Sequence, residues 1–425
     1  MRLRRRTLIA SSFLAGALAL SGCAADAPAS TESDPASEVS LTFAFWGNDD
    51  RATRYNELIT AFNEKHPNIT IKTTFTDFPN YWEKRATEVA GGGLPDVFQF
   101  SDSYLRQYAE PGHLLDLAEM SEHIDFSSFE DSLLGTGRLN DVQYSLPTGY
   151  SMWANFVNDD LLAEHGVAAP EGDTSFEDFD QWMADFTDIS GGEVYGGTDY
   201  TQRIQTFELV LRANGKNLYT EDGQLGFTED ELRDYWESGA GLRDGVTAPQ
   251  QRLEELSPIS GFGARLTATE MSWSNFLGSY LADSGAESMS IVAPPTAVPG
   301  SKDLYRQGGL QMAISETSEH PEEAALFLDF VVNSPEAGEI FGTTLGFPAS
   351  STKLAGTTLE GVDKQVADYI ESVSDRVGEA PPVPVVGYGS LEQTFWDLGK
   401  SIGLGAITVD QAVTDFFIEA EVILG

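Results

Sequence analysis

The apolar residues of the chain recur with two spacings, one typical of β-strands and one typical of α-helices. Alternate apolar residues from 39 to 46 predict a first strand, and the spacing of Tyr55, Leu58 and Phe62 predicts an amphipathic helix after it. Strands that alternate with helices favour a mainly parallel sheet with right-handed crossovers, so the sequence predicts an α/β fold. The further predicted strands are 69–75, 97–100, 143–146, 267–273, 288–293 and 308–314.

Polar side chains follow the predicted strands at the points where those strands end. Trp46 and Asn48 lie at the end of the first strand, and Ser101 and Asp102 follow the third. In open α/β sheets, ligands bind outside the carboxyl ends of the strands. The sequence therefore predicts a binding cleft with Asp102 on its wall.

The strand pattern is interrupted at Pro147–Gly149 and again at Gly346–Ala349, and the residues between these breaks are rich in predicted helices. Two of those helices begin with capping boxes, at Ser175 and at Thr228. The roughly 390 residues that follow the N-terminal segment are too many for one ordinary hydrophobic core. We therefore expect two lobes, with the two breaks as candidate crossings between them.

The N-terminal residues are typical of a secretory signal. Four arginines precede an apolar run from Leu8 to Leu20, which is too short to span a bilayer with ordinary flanks. Leu20-Ser21-Gly22-Cys23 resembles the lipobox of bacterial lipoproteins, which implies a signal peptide at 1–22, cleavage before Cys23 and lipidation of its sulfur by acyl chains such as palmitate. Cys23 is the single cysteine, so no disulfide can form within the chain. Small and polar residues at 23–38 predict a flexible tether.

The charge of the chain is strongly negative. Its formal net charge is −42, and removing the four arginines of 1–22 leaves 21 basic residues against 67 acidic ones, a net charge of −46. Such a field disfavours nucleic acid as a partner. We interpret the acidic residues as the solvated surface of a secreted protein.

The sequence offers little support for catalysis. The five histidines form no HExxH motif and no close metal-ligand spacing, and no G-x-S-x-G motif is present. Gly399-Lys400-Ser401 imitates the end of a phosphate-binding loop, but Thr394 occupies the place of its first glycine. No metal and no cofactor are expected. A surface-anchored glycosidase or lyase stays open as an alternative, because two of the many carboxylates could meet in the fold; an extended adhesin would need repeats that the sequence lacks.

Several segments, taken in order, carry a resemblance to a known family. Together they are similar to the family 1 extracellular solute-binding proteins of ABC transporters, the group that contains maltose-binding protein. The segments are Trp46–Arg51, Gly92–Val97, Asn158–Leu161, Gly308–Ser315 and Pro321–Leu328.

The resemblance implies a fold, a location and a set of partners. We expect a two-lobe clamp joined by three crossings, with lobe 1 at 39–147 and 311–345 and lobe 2 at 148–310 and 346–425. It implies a lipid-anchored monomer on the outer face of the cell membrane. That monomer would capture a sugar between its lobes and deliver it to an ABC permease and its ATPase.

A sugar has a face of C–H groups and a rim of hydroxyls, so it needs aromatic rings beside carboxylates and amides. Some candidates have a structural role as the alternative to ligand binding: Trp153 could pack at a hinge, and Asp49 could cap a helix. Cationic candidates for an acidic sugar are few, Arg51, Arg203 and Arg306, so we expect a neutral mono- or oligosaccharide. The candidate ligand-binding residues are Trp46, Asn48, Asp49, Gln99, Ser101, Asp102, Trp153, Trp273, Asn275, Gly309, Tyr388 and Trp396.

Overall fold

The computed structural model describes residues 38–257 and 259–424. The predicted signal peptide, the lipidation site Cys23 and nearly all of the predicted tether lie outside the described residues. The strands are β1 Val39–Trp46, β2 Ile69–Thr76, β3 Val97–Phe100, β4 Arg138–Leu139, β5 Val142–Gln143, β6 Ser145–Ser151, β7 Trp153–Asn158, β8 Thr269–Trp273, β9 Met289–Val292, β10 Gln307–Ile314 and β11 Phe347–Pro348. The helices are α1 Asp49–Lys65, α2 Phe78–Gly91, α3 Leu105–Ala109, α4 Asp131–Leu134, α5 Asp159–His165, α6 Phe176–Ile189, α7 Ile204–Ala213, α8 Glu229–Ser238, α9 Gln250–Leu256, α10 Leu277–Ser284, α11 Pro321–Asn333, α12 Pro335–Phe341, α13 Ser351–Gly356, α14 Gly361–Ser372, α15 Tyr388–Gly403 and α16 Val409–Leu424.

The first lobe is built on a six-stranded sheet in the order β11-β6-β10-β3-β1-β2. β1 pairs in parallel with β2 and β3, as the alternation of strands and helices predicts. β10 pairs antiparallel with β3 and β6, so the sheet is mixed. Apolar residues of β1, α1 and α11 pack together on one face, with Phe43 edge-on to both Tyr55 and Phe327.

The second lobe is built on a three-stranded sheet in the order β8-β7-β9. Both pairs in this sheet are antiparallel, where the sequence predicted parallel pairing. Local periodicity does not predict this difference. Long helical segments separate β7 from β8, and the pairing direction depends on the direction in which the chain re-enters the sheet. Helices α7, α8, α15 and α16 form a separate apolar core around Trp236 and Phe395. The α/β two-lobe class is confirmed, with mixed rather than mainly parallel sheets.

The chain passes between the two lobes three times. β6 leads from the first sheet into β7, and the chain returns through β10. It leaves the first lobe again between α13, which packs on β11, and α14, which packs on β9. The predicted break at Pro147–Gly149 is wrong, because these residues continue β6. Pro147 is tolerated there because it faces Gln311 at an irregularity in the pairing with β10.

The second predicted break, Gly346–Ala349, also lies partly within the first sheet. Phe347 and Pro348 pair with β6 as β11, and a Cβ on Gly149 would lie 2.5 Å from the carbonyl oxygen of Leu345. Glycine at 149 therefore permits this close approach of two backbones. The chain leaves the first sheet later than expected, and the lobe limits given above stay a proposal.

Several predicted helix starts are confirmed in detail. Thr228 accepts a hydrogen bond from the backbone of Glu231, whose carboxylate accepts one from the backbone of Thr228, which is a complete capping box. Asn48 caps α1 by accepting from the amide of Arg51 at 3.0 Å. Within residues 38–257 and 259–424, no helix combines the length and apolar character needed to cross a membrane.

Candidate functional site

A cavity of about 140 Å³ lies between the two lobes. Asp102 approaches it from the first lobe, directly after β3, and Trp273 approaches it from the end of β8 in the second lobe. Tyr388, at the start of α15, completes the set of predicted site residues that line it. The structure thus brings Asp102, Trp273 and Tyr388 together from positions far apart in the sequence.

Asp102 is buried, and its carboxylate accepts hydrogen bonds from three residues. Its carboxylate accepts from the Ser103 amide at 2.8 Å and from Gln307 Nε2 at 3.1 Å, with a longer contact of 3.4 Å from the Ser101 hydroxyl. Burial raises the pKa of Asp102, and these donors partly offset that effect. The predicted site residue Ser101 therefore supports Asp102 and does not line the cavity.

Gly309 affects the Asp102 carboxylate indirectly, through the space that it leaves for the side chain of Gln307. A Cβ at this position would lie 2.5 Å from Nε2 of Gln307, the nitrogen that donates to Asp102. The absence of a side chain at 309 therefore leaves room for the Gln307 amide. A glycine at this position of β10 thus permits the hydrogen bond from Gln307 to Asp102 in the cavity wall.

Two further carboxylates line the cavity from the second lobe. Glu208 on α7 accepts a hydrogen bond of 2.6 Å from the Tyr305 hydroxyl, and Glu392 on α15 accepts one from Gln205. Burial raises the pKa of both glutamates. The sequence analysis did not single out either residue. Glu208 offered a signal, because an acid there interrupts the apolar helical stripe of Ile204, Phe207 and Leu211.

Aromatic side chains form much of the remaining wall. The Trp273 ring lies edge-on to Tyr305, with ring centroids 6.0 Å apart, and edge-on to Trp153 at 5.1 Å. Trp153 is buried behind Trp273 as its partner in the β7–β8 register. Such a wall can offer apolar ring surface next to carboxylate acceptors, which is the combination that a sugar requires.

The helix α15 carries three candidate site residues on one face, two predicted from the sequence and one that lines the cavity. Tyr388, Glu392 and Trp396 are spaced by four residues, so they follow one another along the helix. Trp396 lies outside the cavity lining and is 38% exposed, with the guanidinium carbon of Arg203 at 4.6 Å and Lys400 Nζ at 4.9 Å from its ring centroid. Ligand contact by Trp396 stays a prediction.

The residues predicted at the end of β1 lie apart from the cavity lining. Trp46 packs edge-on against Phe78 and Tyr81, with ring centroids 5.2 and 5.3 Å away. Asn48 and Asp49 are exposed at the start of α1, where Asn48 is occupied as a cap. Their role in binding stays a prediction.

Gln99 is fully buried beneath this corner. With its amide oriented by the hydrogen-bond network, its oxygen accepts from Trp46 Nε1 at 3.2 Å and from Arg51 Nη1 at 3.3 Å, and its nitrogen donates to the Tyr55 hydroxyl at 3.2 Å. Gln99 therefore positions Trp46 and Arg51.

Asn275 lies near the first crossing between the sheets. Its side-chain oxygen accepts from the hydroxyl of Ser151, the last residue of β6, at 3.1 Å. In residues 38–257 and 259–424, no group of three or more histidine, cysteine, aspartate or glutamate side chains is arranged to hold a metal ion.

A larger polar recess of about 1440 Å³ adjoins the cavity. Arg306 and Pro381–Val383 line both spaces. Arg306 forms an ion pair with Glu130 at 2.9 Å and donates to Ser132 at 3.0 Å. A polar space large enough for more than one sugar ring therefore borders the cavity.

Residues 48–338 match the family model described as bacterial extracellular solute-binding protein. The chain belongs to this family. A putative ABC transporter periplasmic-binding protein of Escherichia coli, YcjN, is 20% identical over 84% of this chain and 84% of its own length. The maltodextrin-binding protein MdxE of Bacillus subtilis is 22% identical over 89% of this chain and 87% of its own length. A solved family 1 extracellular solute-binding protein from Alicyclobacillus acidocaldarius is 27% identical, with a TM-score of 0.75, over 92% of this chain and all of its own.

The family membership decides the general role. This chain is the solute-binding protein of an ABC transporter, and it acts outside the cytoplasm. Its family serves transport and is not a family of enzymes. The cavity between the lobes is accordingly the candidate site for the solute.

Proposed function

We propose that this solute-binding protein captures a sugar in the cavity between its lobes and delivers it to the ABC permease and its ATPase. The observation that carries the proposal is the meeting of Asp102 from one lobe with Trp273 and Tyr388 from the other around one cavity. A ligand that contacts both lobes binds the closed state better than the open state and so favours closure. The maltodextrin-binding relative supports a sugar as the ligand.

The carboxylates of the cavity argue against an acidic sugar. Asp102, Glu208 and Glu392 all line it, and an anionic ligand would meet like charges in a partly dry space. Carboxylates accept hydrogen bonds from sugar hydroxyls, so a neutral mono- or oligosaccharide remains compatible, as the sequence predicted. The protein performs no chemistry on its ligand.

A tryptophan-fluorescence titration with neutral, basic and acidic sugars tests the proposal, with product analysis of every mixture. In Trp273→Ala we expect weaker binding. A sugar that covers about 60 Å² of the ring, a third of a typical aromatic surface, gains about 1.5 kcal/mol, or roughly a tenfold change in Kd. Phe75→Ala is the control, because Phe75 is 43% exposed on β2 and outside the cavity lining. Conversion of a sugar would instead indicate the glycosidase or lyase alternative.

We also propose that Cys23 carries the lipid anchor of the mature protein. The support is the lipobox at Leu20–Cys23, which lies in the part of the chain that the structure leaves undescribed. Labelled palmitate should enter the wild-type protein and not Cys23→Ala, and the variant should leave the membrane fraction. Equal labelling of both would contradict the anchor.

A further inference from the structure

The three carboxylates of the cavity have neutral hydrogen-bond partners. Asp102 accepts from Ser103 and Gln307, Glu208 from Tyr305, and Glu392 from Gln205. Among the described residues, no ammonium or guanidinium nitrogen lies within 4.0 Å of any of these three carboxylates. The cavity wall therefore contains three carboxylates, and none of them forms an ion pair with a described residue.

Fewer basic than acidic side chains line the cavity. Arg306 is the one basic residue among the described residues that line it; it pairs with Glu130, and its Nε has no hydrogen-bond partner among the described residues. Burial raises the pKa of Glu208 and Glu392, and the charges of Arg212 and Arg203 partly offset that effect without an ion pair to either glutamate. The cavity wall therefore holds three carboxylates and one guanidinium, which is already paired with Glu130.

A buried hydroxyl in the same wall also lacks a partner. Tyr219 is 4% exposed and lines the cavity, and its hydroxyl has no hydrogen-bond partner among the described residues. Burial raises the pKa of Tyr219, and the charges of Glu208 and Glu392 add to that effect, so the hydroxyl lies in the field of both carboxylates. A buried polar group without a partner is costly, so this hydroxyl points to a polar ligand atom beside the two glutamates.

We propose that the ligand is an amino sugar whose ammonium group binds among Glu208, Glu392 and Asp102. An ammonium carries three N–H donors and one positive charge, so it satisfies acceptors and offsets their repulsion at once. A hydroxyl donates a hydrogen bond but leaves the repulsion in place. This inference rests on the proposed sugar-binding function, and it replaces the expected neutral sugar with a cationic one.

The test compares sugars that differ only in the amine. Glucosamine is titrated beside glucose and N-acetylglucosamine, and galactosamine beside galactose, by calorimetry at pH 7 with short β-1,4-linked oligomers of each as longer probes. We expect at least one amino sugar to bind tenfold or more tightly than both its hydroxyl and its N-acetyl counterparts. This comparison uses the unaltered protein and so does not depend on the folding of a variant.

Isosteric variants then locate the charge. Glu208→Gln and Glu392→Gln should each reduce the preference for the amine at least fivefold while changing the affinity for the neutral sugar less. Glu57→Gln, an exposed residue on α1, should leave the preference unchanged.

The outcomes separate the two proposals. Tight binding of a neutral sugar with no gain from the amine would overturn the amino-sugar inference and leave sugar binding intact. Equal binding of a simple amine without a sugar ring, or a preference that both glutamine variants retain, would also overturn it. Failure of every sugar to bind would overturn the proposed function and this inference together.

Discussion

Arg106 is predicted to hold the lobes together when the cleft is shut. It lies on α3 of the first lobe, is 8% exposed, and donates to the carbonyl oxygen of Glu221 in the second lobe at 3.0 Å, while its other terminal nitrogen pairs with Glu110 at 2.8 Å. Replacing Arg106 by alanine removes the bond that joins the lobes. Opening the cleft separates the two lobes, so we expect this bond to stabilise the closed state alone.

The size of the effect follows from this geometry. A hydrogen bond from a charged donor contributes about 1.5 to 3 kcal/mol. If that amount is lost from the closed state alone, the Kd of the best-binding sugar should rise about 10-fold to 150-fold. Most of the change should appear as faster dissociation, because the first encounter does not require closure.

Arg54 provides a matched control. It also binds a carboxylate four residues away, Asp50 at 2.9 Å, and a distant carbonyl oxygen, that of Ile340 at 2.7 Å, but both partners belong to the first lobe. Stopped-flow fluorescence of Arg106→Ala and Arg54→Ala measures both rate constants. Similar affinities in two folded variants would refute the assignment of Arg106 as an inter-lobe contact.

Two further predictions concern single contacts. Lys353 is buried, its Nζ donates to the Thr148 carbonyl at 3.0 Å, and burial lowers its pKa from 10.5 to about 7. Between pH 7 and 10.5 the unfolded state then binds more protons than the folded state, so the free energy of unfolding of the wild-type protein should rise with pH. In urea unfolding, Lys353→Met should be about 2 to 4 kcal/mol more stable at pH 7 and should not show this rise. Parallel pH profiles of the two proteins would contradict this. Gly309→Ala should displace Gln307 from Asp102 and weaken sugar binding roughly threefold to tenfold without a large change in Tm, in line with about 1 kcal/mol for one hydrogen bond; unchanged affinity would show that Asp102 does not depend on Gln307.

Local periodicity predicted most of the first lobe. The apolar spacing of β1 and α1 and the glycines after α2 are local signals, and the structure follows them, with Gly92 ending α2 in a left-handed conformation. The continuation of β6 through Pro147 was not predictable in this way. It depends on an irregular pairing with Gln311, which is more than 160 positions away in the sequence.

The residues that line the candidate cavity were predicted in part for the same reason. Asp102 and Trp273 could be inferred because Asp102 follows β3 and Trp273 is the last residue of β8, and ligands bind near the ends of strands in α/β folds. Glu392 lies within a helix, and nothing local distinguishes it from a solvated acid until α15 is placed against the cavity. Trp46 also ends a strand, but its ring packs on neighbouring aromatic side chains outside the cavity lining, so its role in binding stays a prediction.

A crystal structure of the protein with its best-binding sugar would show directly whether the ligand lies between the lobes. We expect a sugar ring against Trp273, with at least one polar atom within hydrogen-bond distance of Asp102, so that both lobes contact one ligand. A sugar bound elsewhere, for example at Trp46 alone, with the cavity between Asp102 and Trp273 free of ligand, would contradict it.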